Sequence, residues 1–140
     1  MTDLEQAVAA LQPPHTLALC RDGTLLTSDR RGVAPMVTFL REGRALEGYA
    51  AADRVVGKAA AWLFILAGVR AVYAATLSEG GRELLTRHGI PVQYETLTPA
   101  IRNRDNTGIC PMEQAVAEAT DPADALRRIE ERMAQLAKSR

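Results

Sequence analysis

Apolar positions along the chain switch between helical and strand spacing, and the switches mark out its elements. Leu4, Val8 and Leu11 keep helical spacing, and Pro13-Pro14 ends that predicted helix. The runs "HTLALC" and "TLLTS" flank Arg21-Asp22-Gly23. Asp-Gly between apolar runs predicts a hairpin, because glycine accepts the positive φ that a tight turn demands. "VAPMVTFLREG" follows as a short helix closed by Gly43. "DRVVGKAAAWLFILAG" is apolar on nearly every face from Asp53, a good N-cap, to Gly68, and predicts a helix buried in mid-domain. "VRAVYAATLS" reads as a buried strand, Ser78 caps "EGGRELLTRH", and Gly89 terminates that helix. "IPVQYETLT" is a further strand, with Pro91 near its start where a missing donor is tolerated. Strand, helix and strand make a crossover unit, which implies two parallel strands and a right-handed connection. A helix is predicted from Pro111 to about Ala119, and Asp121-Pro122 opens a last one over 122–138. Its seam of Leu126, Ile129, Met133 and Leu136 suits packing on the domain or on a second subunit, as a homodimer. The sum is an α/β domain with a mixed sheet covered on both faces.

Size and composition change this picture little. The 140 residues suit one domain with a real core, and 47% apolar against 24% charged residues is a soluble globular balance. Seventeen basic residues offset seventeen acidic ones, so no overall field draws the chain to nucleic acid or anionic lipid. Arg30, Arg31, Arg41 and Arg44 leave room for a local basic patch. "MTDLEQAVAALQPPH" is acidic and amphipathic, unlike a signal peptide. The apolar run Ala59 to Val69 is broken by Arg70 and falls short of the ~20 residues a membrane span needs. Two cysteines far apart give no disulfide scaffold, so a reduced, cytoplasmic protein is expected.

Two familiar motifs fail on their chemistry. "VVGKAA" is not a phosphate loop, since Ala52 stands where glycine is needed and Ala59 where a hydroxyl must hold magnesium. His15, His88, Cys20 and Cys110 are not spaced as metal ligands. Cys20 alternates with Ala18 and Thr16 as core filler, and His88 suits a helix C-terminus.

What remains is a set of helix starts. In an α/β sheet, ligands bind beyond the carboxyl ends of parallel strands. Asp53, Ser78-Glu79-Gly80-Gly81 and Cys110-Pro111-Met112-Glu113 are candidates to meet there and favour an anion. Arg104 and Asn103 could add hydrogen bonds to it. Lys58, placed inside the most apolar helix, needs a carboxylate, a ligand or a route to solvent along its stem. Gly57, costing about 1 kcal/mol against alanine in a helix, hints at a close approach. Cys110 precedes Pro111 as N-cap with Glu113 at the third position, half of a capping box. A thiol caps poorly, yet a helix start favours its thiolate, with Glu113 opposing the shift or acting as base.

The blocks "ADRVVGKAAAWL", "TLSEGG" and "IRNRDNTGICPMEQAV", in this order and spacing, resemble bacterial domain-of-unknown-function family 1893 over nearly the whole chain. The resemblance implies a cytidine deaminase-like fold, a three-layer α/β/α domain on a mixed sheet. Zinc deaminases of that wider fold carry His-or-Cys-x-Glu at one helix start and Pro-Cys-x-x-Cys at the next. The corresponding starts read here as Asp53-Arg54-Val55 and Ser78-Glu79-Gly80-Gly81, without ligands, and Cys110 belongs to a later helix. The expectation is therefore a domain without zinc or other cofactor, and the resemblance brings no activity with it. Its function is then the binding of a small anionic metabolite or nucleotide by Asp53, Lys58, Ser78, Glu79, Asn103 and Arg104. The alternatives are an enzyme of unassigned class with Cys110 as nucleophile, and an assembly protein that dimerises through its last helix.

Overall fold

The computed structural model describes residues 1–139. Helix α1, Asp3–Ala10, starts at a reciprocal cap: Thr2 Oγ1 accepts the Glu5 amide at 3.1 Å, and the Thr2 amide donates to Glu5 Oε1 at 2.8 Å. The predicted hairpin forms from β1, Leu17–Arg21, and β2, Thr24–Ser28, paired antiparallel. Asp22 at φ 50° and Gly23 at φ 83° both take the positive φ of a turn whose twist matches the strands. Helix α2, Ala34–Arg41, ends short of Gly43.

Asp53 caps no helix: it is the fourth residue of a strand, β3, Ala50–Val56. The helix α3 runs Lys58–Ala67, and its N-cap is Gly57, four residues after Asp53. Helical apolar periodicity did not distinguish the two, because "DRVVGKAAAWLFILAG" is apolar on all faces. Ala50, Ala51 and Ala52, poor strand formers by composition, are fully buried between neighbouring strands, and tertiary burial overrides propensity there.

Strand β4, Ala71–Ser78, follows α3 and pairs parallel with β3, giving a crossover that the sequence reading missed. The predicted crossover is also present: α4, Glu79–Arg87, connects β4 to the parallel β5, Val92–Thr98. Ser78 caps α4, its Oγ accepting the Gly81 amide at 2.9 Å within the buried interior. Ser78→Ala is expected to cost about 1 kcal/mol of stability, read as a lower urea midpoint at unchanged m-value. Helix α5 spans only Pro111–Ala115; beyond it, single turns carry the chain to Ala119. Helix α6, Pro122–Lys138, closes the fold.

The five strands lie in the order β2-β1-β3-β4-β5. On one face Leu17, Leu19, Val72 and Leu77 meet Val37, Phe64, Leu85 and Ile129 from the helices, forming the main core. On the other face α1 packs Ala7 against Ala18, Cys20 and Ala52. The result is a three-layer α/β/α domain on a mixed sheet, but the second layer is incomplete. One eight-residue helix spans only β1, β3 and β4, so β5 keeps Gln93, Glu95 and Thr96 exposed. The α6 seam rests on α3 and α5 through Ala125, Leu126, Ile129 and Met133, while Leu136 stays exposed.

Candidate functional site

The carboxyl ends of β3, β4 and β5 lie at one edge of the sheet. Two helix starts follow there directly, Gly57-Lys58 and Ser78-Glu79, and the loop after β5 leads to a third at Cys110-Pro111. Their approach is tight. A Cβ added at Gly81 would lie 3.0 Å from the Gly57 carbonyl oxygen, and one at Gly80 would lie 2.8 Å from Lys58 Cε. These glycines let α3 and α4 begin almost in contact.

Glu113 occupies the junction. Its Oε1 accepts the Lys58 amide and its Oε2 the Ala59 amide, both at 2.7 Å. The carboxylate thus caps α3, a helix 55 residues earlier, instead of completing a capping box on its own helix. The Cys110 amide donates to the Ile101 carbonyl at 3.0 Å, and the Cys110 thiol makes no capping bond. Gly57 is where it is because of Glu113: a Cβ there would meet Glu113 Oε1 at 2.2 Å and Ile101 Cγ1 at 2.8 Å. The anion-friendly start of α3 is therefore filled by the protein's own carboxylate.

Lys58 is not inside a helix but at the first position of α3, exposed, its stem lying across Gly80. It reaches a cleft of about 70 Å³ between α3, α4 and α5. Trp62, Leu84 and Val116, all buried, supply apolar walls, and Lys58, Glu83 and Arg87 supply the charge. Glu83 and Arg87 stand 3.9 Å apart with side chains 71% and 64% exposed, so their pairing is weak. His88, at the predicted C-terminus of α4, places Nδ1 2.9 Å from the Leu84 carbonyl and its ring edge-on to Trp62. A shallow groove of about 400 Å³ lies on the other side of Glu83 and Arg87, lined also by Glu79, Arg82 and Leu97, and Arg82 stacks over Tyr94.

The remaining predicted residues lie elsewhere. Asn103 folds its own loop, its Oδ1 accepting the Thr107 amide at 2.9 Å and its Nδ2 donating to Thr107 Oγ1 at 3.0 Å. Arg104 is exposed on that turn and does not line the cleft. Cys20 is buried under α1, its thiol directed at Asp3 and Gln6. Asp53 sits between Leu17 of β1 and Ala74 of β4, 9% exposed, with its pKa raised to about 7 by burial against the pull of the Val55 and Arg54 amides.

Zinc does not fit the donors at this edge. The helix that was read as starting at Asp53-Arg54-Val55 starts instead at Gly57-Lys58-Ala59, and neither it nor Ser78-Glu79-Gly80-Gly81 offers imidazole or thiolate.

The family model for the domain of unknown function DUF1893 matches residues 11–133. The chain belongs to that family. A DUF1893 family protein from Thermotoga maritima is similar in structure at TM-score 0.83 and 23% identity, over 94% of this chain and 90% of that one. A diaminohydroxyphosphoribosylaminopyrimidine deaminase/5-amino-6-(5-phosphoribosylamino)uracil reductase from the same organism matches at TM-score 0.47 and 17% identity, over 61% of this chain and 30% of that one. A dCMP deaminase from cyanophage S-TIM5 matches at TM-score 0.45 and 14% identity, over 65% and 92% of the two chains. No curated protein matches the sequence.

In this DUF1893 chain the sequence reading picked Lys58 and Glu113 but missed Trp62, Glu83 and Arg87. A partial signal existed. Gly80, Glu83, Leu84 and Arg87 recur at helical spacing along one face of α4, and Lys58 precedes Trp62 by one turn. Nothing in the spacing says that these two faces look at each other. No helix among the described residues is long and apolar enough to cross a membrane.

Proposed function

We propose that this protein binds a small anionic ligand, zinc-free, in the cleft between α3, α4 and α5. The observation that carries this reading is the meeting of Lys58 and Arg87 in one cleft with an apolar wall of Trp62, Leu84 and Val116. A guanidinium offers a fork to an oxyanion, an ammonium adds a point charge, and the apolar wall strengthens both. Size narrows the ligand. About 70 Å³ is far below the roughly 300–1,000 Å³ that encloses a drug-sized molecule, so the cleft takes an anionic head group and not a whole nucleotide.

Calorimetry with inorganic phosphate, phenyl phosphate and nucleoside monophosphates tests it. Lys58→Ala and Arg87→Ala are each expected to weaken binding about tenfold, or ~1.4 kcal/mol, whereas Arg82→Ala, on the same helix outside the cleft, leaves it unchanged. Binding that survives the double variant Lys58→Ala/Arg87→Ala, or no binding by any probe, overturns the proposal.

A further inference from the structure

We infer that α5 is a lid on the cleft and that Glu113 is its latch, an inference that rests on the cleft being the binding site. Helix α5 is joined to its neighbours unequally. Toward α6 it is held by Arg132, whose Nη1 donates to the Pro111 carbonyl at 2.9 Å and to Gln114 Oε1 at 3.4 Å. Toward α3, the hydrogen bonds among the described residues are the two that Glu113 accepts from the Lys58 and Ala59 amides. Those amides belong to the helix start whose first residue, Lys58, also lines the cleft. The opposite wall is Val116 and Ala119, at the end of α5 and in the turns after it. Releasing one carboxylate therefore leaves the wall formed by Val116 and Ala119 held to α3 and α4 by apolar contact alone, so that it can open while α6 stays seated on α3 through Leu126, Ile129 and Met133.

The closed cleft, about 70 Å³, takes an inorganic phosphate whole but leaves an aromatic substituent of a phosphate ester outside. Only the open form buries that substituent as well, so this tighter mode of binding is reduced by the fraction of molecules that are open. Glu113 sets that fraction.

Two measurements test the latch, one of them without any ligand. In the unmodified protein, the amides of Lys58, Ala59, Gln114 and Val116 are expected to exchange hydrogen together and faster than those of Leu63 and Phe64. Exchange of Lys58 and Ala59 only at the rate of Leu63 and Phe64 overturns the inference whether or not any anion binds. In Glu113→Gln, phenyl phosphate binding is expected to tighten about tenfold while inorganic phosphate binding stays as it was. A purely structural Glu113 would lower the melting temperature and leave the ratio of the two affinities unchanged, and that outcome sinks the latch. Glu113→Ala, which removes the carboxylate altogether, should repeat the pattern of Glu113→Gln. Failure of every anion to bind removes the cleft as a site, and the exchange rates then decide the latch alone.

Discussion

Stability is expected to fall between about pH 4 and pH 7 in the unmodified protein, and Asp53→Asn is expected to abolish that fall. Burial raises the folded pKa of Asp53 to about 7 from an ordinary carboxylate value of 3.8. The folded state thus holds a proton that the unfolded chain releases near pH 4. The contribution of Asp53 is whole below that value, declines as pH rises through the folded pKa, and is lost above it. Three pH units at ~1.4 kcal/mol each give a loss on the order of 4 kcal/mol. Asparagine has the same shape and no charge to acquire, so the variant should be more stable than the parent at pH 8 and close to it at pH 4. Urea unfolding of both proteins at pH 4, 6 and 8 reads the difference directly. Parallel curves across that range would show that Asp53 is not the group responsible.

Gly57→Ala carries the second large effect. The backbone at Gly57 has φ −108° and ψ −162°, which alanine adopts freely, so any cost comes from contact alone. The new methyl would lie 2.2 Å from Glu113 Oε1 and 2.8 Å from Ile101 Cγ1, and neither neighbour can yield without losing what it does. Moving Glu113 breaks its two 2.7 Å bonds to α3, and moving Ile101 disturbs the loop that leads to α5. The expected loss is about 3 kcal/mol, the upper range for overpacking. A double-mutant cycle separates this from a generic helix effect. Combined with Glu113→Ala, the Gly57→Ala penalty should shrink by at least about 1 kcal/mol. Full additivity of the two substitutions would mean that the methyl and the carboxylate do not collide.

Glu113 and Gly57 also mark where reading the sequence stops. Both were singled out, Gly57 for a close approach and Glu113 for half of a capping box on its own helix or as a base for Cys110; the close approach is present, and the capping box is not. The partners differ. Glu113 caps a helix 55 residues away, and the close approach at Gly57 is to that same side chain. Asp53 went further astray: read as a helix N-cap at a ligand site, it is a buried acid in mid-strand.

The sequence by itself determined the elements whose signals are local. The Asp22-Gly23 hairpin, the Ser78 cap and the crossover from β4 to β5 follow from turn chemistry, a side-chain oxygen within reach of its own helix, and short-range periodicity. Only the tertiary structure decided that Ala50–Val56 is a strand, since alanine declares no preference until neighbours bury it. It alone brought Lys58 and Trp62 to face Arg87 across a cleft, and Glu113 to the start of α3. Local signals act over a few bonds. A cleft between three helices depends on how the sheet sets their separations, which no spacing along the chain records.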